Sequence, residues 1–323
     1  MNSPLPDQTV RAFSPGGVGN IGVGFDLLGH TISALRDEVS VSRAAHNDVR
    51  ILSVDGAIDG LDGIPLDASR NTAGLALLTL RRALELPFGF DVRLHKGIPL
   101  NAGLGGSAAS AVAALVAANA LLDTPLPRED LLPFAVEGEF ASCGSRQADN
   151  VAPMLLGGVV LAHGLDIVRF EVPSTWHAVV VHPLMPLSTK SSRAVLRDPY
   201  QLSDIVQHGA HLTQFVLGLE RGDASLVRRG LVDVLVEPRR APLIPGFAAV
   251  QSAAMSSGAM GCSISGAGPS AFAWFETEST ARSASSAMVA AFDAVGLHSD
   301  CWVVPVNGVA AGIAPPDATG LTP

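Results

Sequence analysis

The chain has 323 residues, of which 48% are hydrophobic and 16% charged, so it can bury the core of one large domain or two ordinary ones and is not a disordered polymer. Its formal net charge of −9 excludes a general nucleic-acid binder. Two of its 21 basic residues, Lys96 and Lys190, are lysines, so a cation that holds an anion is expected to be an arginine.

Residues 8–13 (QTVRAF) alternate in the manner of a short strand. The following SPGGVGN (14–20) carries too many glycines for regular structure and is expected to be a loop. EVSVSR (38–43) and VRILSV (49–54) alternate as strands, and DGAIDGLDG (55–63) is a turn-rich connection. Asn71 opens a helical run over 71–86 that Pro87 ends. Residues 91–99 read as a strand running into a glycine loop, and 107–122 as the helix after it. Residues 126–141 form a further helical stretch carrying Glu137 and Glu139.

One or two strands are expected over 154–170, then an apolar strand at 176–183 buried on both faces. Helical stretches follow at 203–220 and 223–236. CSISGAGPSAFAWFE (262–276) has the pattern strand, tight loop, strand; a helix at 278–294 and a strand at 299–304 come next. The end, from residue 308, is expected to be a disordered tail. Helices and strands mix throughout, so the class is α+β or α/β, with the best domain division at 160–175.

The three cysteines, Cys143, Cys262 and Cys301, lie far apart, which fits a reducing compartment and gives no cysteine-type zinc motif. No secretory signal is visible in the first residues. The run at 107–122 falls short of the ~20 apolar residues of a membrane span, so a buried helix is expected. A soluble cytoplasmic protein follows, with neither membrane nor nucleic acid as partner.

Three glycine loops stand out. In PLNAGLGGSAASA (99–111), Gly103, Gly105 and Gly106 remove side chains where backbone would approach a ligand, and Ser107 begins a helix whose free N–H groups and positive dipole end point outward. That pattern fits a phosphate cradle or a close strand–helix contact, and it lacks the lysine of a P-loop. SPGGVGNIGVGFDLLG (14–29) carries Asn20 and Asp26 among small and apolar residues, where an Asx turn is the plain alternative. SGAGPSAF (265–272) lies between two apolar strands, as a hairpin connection would. Glu139 gains meaning only if its helix turns it toward the glycine loop, where a carboxylate could hold Mg²⁺ beside phosphate. SRQADNVAP (145–153) places Asp149 and Asn150 ahead of Gly157 and Gly158. Ser188, Thr189 and Arg193 cluster together, as do Arg239 and Arg240; two such arginines could clamp a carboxylate. His208 and His211 share a helix face without a third metal ligand nearby.

In this order and spacing the three loops resemble the three motifs of the GHMP small-molecule kinases. The segments between them, ADNVAPMLLGG, STKSSRAVL and EPRRAPLIPGF, are similar to the branch that acts on homoserine. The likeness runs over residues 8–305. It implies an α+β, two-domain fold: a nucleotide-binding domain like the second domain of ribosomal protein S5 over 1–165, a ferredoxin-like domain over 166–310, and a tail at 311–323. The implied activity is ATP-dependent phosphorylation of the side-chain hydroxyl of L-homoserine, in threonine biosynthesis.

The resemblance also implies roles. Pro99, Leu100, Asn101, Ala102, Gly103, Leu104, Gly105, Gly106, Ser107, Ala108 and Ala109 would wrap the triphosphate, with Asn71 near the adenine. Ser107 and Glu139 would hold Mg²⁺. Asn20 and Asp26 would meet the amino end of the substrate, and Arg193 and Arg240 its carboxylate. Thr189, Gln147 and Asn150 would line the same pocket, with Asn20, Asn150, Thr189 and Arg193 around the reacting groups. A homodimer is implied as well. Four positions depart from the family pattern: Gly106 replaces a serine, Gln147 a histidine, and Val18-Gly19 a Ser-Ala pair.

The chemistry fits these residues. Phosphoryl transfer needs positioning and charge neutralisation more than covalent help. A zwitterionic acceptor calls for an anion and cations at opposite ends, the arrangement expected of Asp26 against Arg193 and Arg240. Asn150 falls where other branches carry a catalytic aspartate, with Asp149 beside it, so no dedicated carboxylate base is expected. The alternatives are the same scaffold acting on another small alcohol, and a nucleotide-binding homologue with weakened catalysis.

Overall fold

The computed structural model describes residues 8–144 and 146–315. Strands β1 (Thr9–Gly19), β2 (Leu28–Ala44) and β3 (Val49–Gly56) come first, then helix α1 (Thr72–Ala83), β4 (Gly89–Lys96) and α2 (Gly106–Asn119). Helices α3 (Leu132–Cys143) and α4 (Val151–Leu156) lead to the hairpin β5 (Val159–His163) and β6 (Asp166–Phe170). The second half runs β7 (His177–Pro183), α5 (Thr189–Ala194), α6 (Leu202–Arg221), α7 (Ala224–Gly230), α8 (Glu237–Arg240), α9 (Phe247–Ser256), β8 (Gly261–Ile264), β9 (Ala271–Phe275), α10 (Glu278–Asp293) and β10 (Ser299–Pro305). A two-residue strand, β11 (Gly312–Ile313), closes the described chain.

Two sheets result. The first has the order β11-β1-β2-β4-β3, with β5 and then β6 branching from the start of β2. The second is antiparallel with the order β10-β7-β9-β8. Its strands and the helices between them follow a βαββαβ path, which is the ferredoxin-like topology.

Helix α2 is the centre of the first half. Ala108 to Ala118 are buried without a break, so the helix is apolar all round and enclosed by the sheet and by α1, α3 and α4. Its alanines favour the helix and let neighbours approach closely. Among the described residues no helix is long and apolar enough to cross a membrane.

In β7, Ala178 and Val180 face the core shared with the first half, whereas Val179 and Val181 face a second core under α9 and α10. That explains the unbroken apolar run. The halves meet around Trp274, whose indole Nε1 donates to His30 Nε2 at 3.2 Å. His30 Nδ1 donates to the Thr31 carbonyl at 3.0 Å, which fixes the neutral tautomer.

Several local expectations are corrected. SPGGVGN (14–20) is extended strand as far as Gly19, paired with β2 across a register shift between Pro15 and Gly16. Its glycines serve close packing: a Cβ on Gly17 would lie 3.2 Å from both the His30 carbonyl and the Met154 methyl. The stretch expected as strand from 154 begins as α4, and strand starts only at Val159. The helix expected over 223–236 stops at Gly230. The Asp233 carboxylate then accepts the N–H groups of Leu235, Val236 and Glu237, which starts α8 afresh. The division placed at 165 cuts the first sheet, which takes in β6 to Phe170. Part of the expected tail is ordered: β11 pairs with β1, Ala311 N donates to the Met154 carbonyl, and Ala314 N to the Arg11 carbonyl. Residues 316–323 of that tail lie outside the described residues.

Candidate active site

A cavity of about 940 Å³ opens between the halves, within the range of small-molecule sites. One wall is the glycine loop. β4 ends at Lys96, and residues 97–105 turn so that Gly105 precedes α2 with φ +69° and supplies no capping side chain. The first N–H groups of α2 are left without intrahelical partners beside the cavity. Gly103 has φ +73°, and a Cβ there would lie 2.4 Å from the Ser265 carbonyl and 2.7 Å from that of Gly268. Only glycine lets the third loop pack against the second.

That packing aims the loop. Ser265 Oγ donates to the Gly103 carbonyl at 2.7 Å, and Ser270 Oγ to the Ala102 carbonyl at 2.6 Å. The hairpin expected between two strands is present, and its serines occupy the carbonyl side of the phosphate-loop backbone. Gly106 has no such constraint. Its nearest neighbour to an added Cβ is Ile98 Cγ2 at 3.4 Å, an ordinary contact.

Of the expected loop residues, Pro99 through Ser107 line the cavity. Ala108 and Ala109 are fully buried in the helix and do not line it. Asn71 borders the cavity, but its side chain is spent: Oδ1 accepts from Ala73 N and Gly74 N, and Nδ2 donates to the Pro65 carbonyl. It is the N-cap of α1 and holds residue 65 in place, so its contribution toward a base is through the loop it fixes.

Glu139 does face the glycine loop. It is buried on α3 and hydrogen-bonds with the Ser107 side chain. Burial raises its pKa, against the Ser107 hydroxyl and the charge of Lys96. Ser107 and Glu139 come from helices that meet at the loop, so hard oxygen donors of both kinds converge there.

Lys96 was not anticipated as a site residue. It is 3% exposed and borders the cavity. Its ammonium pairs with Asp37 and donates to Ser110 Oγ at 2.8 Å and to the Gly106 carbonyl at 2.7 Å. Asp37, fully buried, also accepts from Gly97 N and Ile98 N. A lysine therefore does stand beneath the glycine loop, supplied by the preceding strand. Its three donors are committed to the protein, so it contributes charge and fixes the loop's base. The one signal in the sequence was its rarity.

The same cavity carries the expected acceptor residues. Asn20, Asp26, Gln147, Asn150, Thr189, Arg193 and Arg240 all border the same cavity. Asn20 and Asp26 sit in left-handed conformations, φ +70° and +56°. Asn20 Oδ1 accepts from Asp26 N at 2.9 Å, and its Nδ2 donates to the Gly266 carbonyl at 2.9 Å. The Oδ1 bond spans six residues instead of the two of an Asx turn, so it closes a wider loop and aims Asp26. Arg240, also buried, donates to the same Gly266 carbonyl at 2.8 Å and to that of Ser192. Its pKa is lowered by burial, then by Arg193.

Asp26 and Arg193 do not stand at opposite ends. They form a bidentate pair, at 3.1 and 3.3 Å, and come from residues 167 apart in the chain. The expectation misjudged the ligand. The ammonium and carboxylate of an α-amino acid share one carbon, so their partners must be neighbours.

Asp149 lies behind them, buried and lining the cavity. Its Oδ2 accepts from Asn20 N at 3.2 Å and from Asn150 Nδ2 at 3.3 Å. Burial, with the nearby Asp26 charge, pushes its pKa up to about 7 against the Asn20 hydrogen bond. His208 and His211 lie away from the cavity: His208 Nδ1 is 3.6 Å from Asp233, and His211 hydrogen-bonds the Arg229 carbonyl.

Comparison with known proteins agrees with this geometry. Residues 71–158 match the GHMP kinases N terminal domain and residues 215–294 the GHMP kinases C terminal domain. The chain is 53% identical over 296 residues to a homoserine kinase of Xylella fastidiosa strain 9a5c, covering 92% of this chain and 91% of that one. It is 52% identical over 304 residues to a homoserine kinase of Xanthomonas campestris pv. campestris, covering 94% of each. A solved homoserine kinase structure from Cytophaga hutchinsonii superposes with a TM-score of 0.90 at 40% identity, over 97% of this chain and 100% of that one.

Proposed function

Because the chain belongs to the GHMP kinases, in their homoserine kinase branch, we infer that it transfers the γ-phosphoryl group of ATP to the side-chain hydroxyl of L-homoserine, the phosphorylation that threonine biosynthesis uses. The observation that carries this reading is the pairing of two half-sites in one cavity. An uncapped helix N-terminus behind a glycine loop shares that cavity with an acid–arginine cluster whose charges match those of an amino-acid head group.

The donor half needs little side-chain chemistry. The N–H groups at the start of α2 face the triphosphate, while Ser265 and Ser270 hold the loop carbonyls away from it. Ser107 and Glu139 fit a Mg²⁺ ion: the acid is buried, touches the hydroxyl, and is costly to ionise without a cation. Among the described residues no group of three or more His, Cys, Asp or Glu could hold a metal, and a magnesium shared with phosphate oxygens calls for only one or two protein ligands. When bound, Mg²⁺ neutralises charge on the transferring phosphoryl group.

The acceptor half orients the substrate. Asp26 takes the ammonium, and Arg193 and Arg240 the carboxylate. Asn20 acts by positioning Asp26, since both ends of its own amide are engaged. Gln147, Asn150 and Thr189 line the same cavity. Fixing the hydroxyl near the γ-phosphate supplies much of the catalysis, up to roughly 7–11 kcal/mol in ideal cases.

Transfer proceeds without a dedicated carboxylate base. Asp149 Oδ2 already accepts two N–H groups, and the family resemblance implies that Asn150 stands where other branches carry a catalytic aspartate. One observation favours the other reading: a pKa near 7 suits a general base. Asp149→Asn separates them, because asparagine keeps an acceptor for Asn20 N. Direct transfer predicts kcat within about tenfold of wild type, whereas a base predicts a loss of roughly 10²–10⁴.

The reaction itself is checked by ³¹P NMR of enzyme, Mg-ATP and L-homoserine. One phosphomonoester signal should grow for each ADP formed. ADP formation independent of homoserine would overturn the assignment. The family also points to a cytoplasmic homodimer, and sedimentation of the purified chain tests the dimer.

A further inference from the structure

Resting on the amino-acid reading of the acceptor site, we propose that the Asp26–Arg193 ion pair is a latch, by which the site admits a whole zwitterion and rejects molecules carrying only one of its two charges. The two groups that would meet the ligand's ammonium and carboxylate are already each other's partners, at 3.1 and 3.3 Å. Asp26 is the fixed half, held in a left-handed conformation by Asn20 Oδ1. Arg193, in the last turn of the short helix α5, is the half that swings. Its Nε is buried with no hydrogen-bond partner among the described residues, so one guanidinium donor is unused while the pair is closed.

What surrounds the pair makes half-opening costly. If an amine alone displaced Arg193 from Asp26, Arg193 would lose its carboxylate. It would then stand with Arg240 across the Phe25 ring, the two guanidinium carbons 5.7 and 5.1 Å from the ring centroid. Arg240 donates to backbone carbonyls alone among the hydrogen bonds of the described residues, and its charge acts against that of Arg193. If a carboxylate alone drew Arg193 away, Asp26 would lose its bidentate partner and keep only the charge of Arg240, which makes no ion pair with it among the described residues, against that of the buried Asp149 carboxyl. Breaking this part-buried pair from one side strips one charge of its partner while both side chains still line the site. A zwitterion replaces one ion pair by two and leaves no charge over. Its two charges therefore bind with strong mutual dependence instead of adding independently.

The test uses L-homoserine and the two compounds obtained by deleting one of its charges, 3-amino-1-propanol and 4-hydroxybutanoate, titrated calorimetrically into the full chain. Wild type should bind each single-charge compound about 100-fold or more weakly than homoserine. Asp26→Asn frees Arg193, and should bind 4-hydroxybutanoate about tenfold or more tightly than wild type does while losing homoserine. Arg193→Gln frees Asp26 and should gain similarly for 3-amino-1-propanol. ADP titrated into each variant reports an intact fold. In wild type, where no variant is needed, acetate should strengthen 3-amino-1-propanol binding about tenfold by occupying Arg193. Loss of affinity for all three compounds in both variants, together with no effect of acetate, would overturn the latch. Failure of wild type to phosphorylate homoserine would instead overturn the amino-acid reading, and the analogue gains report on the latch independently of it.

Discussion

Ser107 and Gly106 adjoin at the start of α2, and their surroundings separate their roles. Ser107 points at Glu139, whereas Gly106 has ordinary clearance and no positive φ. Ser107→Ala is therefore expected to lower kcat by about 10² or more, on the scale of losing one preorganised electrostatic contact. Gly106→Ser should leave kcat within about threefold, because the serine usual in this family fits the space; a collapse of activity in that variant would show that the glycine is required. Lys96→Met leaves Asp37 buried without its cation, and thermal unfolding should register a loss of about 3–5 kcal/mol. The glycine motifs, Glu139 and the arginines were legible because local pattern carries them. Lys96 was not, because its meaning depends on Asp37, 59 residues away. The Asp26–Arg193 pair was named residue by residue but placed wrongly, since a 167-residue separation says nothing about direct contact.

At the scale of elements, β1 shows how packing overrides local pattern. The glycines of 14–19 read as loop because propensity disfavours them in strands, but here they admit α4 and β2 at close range. In contrast, β7 and β9 read correctly because burial on both faces leaves an unbroken apolar run. The contact of β9 with β2 has a pH signature. Burial lowers the His30 pKa to about 4, against 6.5 when unfolded. The unfolded chain then binds the extra proton between these values, so this contribution is complete above pH 6.5 and is lost as pH falls toward 4, by about 3 kcal/mol. Asp149 and Glu237 act oppositely. Their folded pKa values, near 7, exceed the unfolded ones, so they add stability as pH falls from 7 to 4. Denaturant titrations of wild type and His30→Gln at pH 7.5 and 5 isolate the histidine: the change in stability on acidification should be less favourable in wild type than in the variant, by about 2 kcal/mol. Equal changes in the two proteins would rule out this His30 contribution.

Across the whole molecule, the third loop ties the two half-sites together. Gly266 donates to the Gly19 carbonyl, its own carbonyl accepts from Asn20 and Arg240, and the serines on either side grip the phosphate loop. Ser265→Ala should consequently raise KM for both ATP and homoserine, whereas Arg240→Ala should raise KM for homoserine alone, by roughly 10–100-fold. Two-substrate kinetics separate these patterns. The division into two domains was readable from the order of motifs, but the return of residues 311–314 to the first sheet was not, because two paired residues leave no periodic trace. The central claim is that one cavity joins a triphosphate cradle to an amino-acid head-group site. It is tested most directly by ADP release with Mg-ATP and, in turn, L-homoserine, L-serine, L-threonine, mevalonate and galactose. kcat/KM should be highest for homoserine, and for mevalonate and galactose, which lack the zwitterion, lower by about 10³ or more. Turnover of mevalonate or galactose at a rate equal to or above that of homoserine would contradict it.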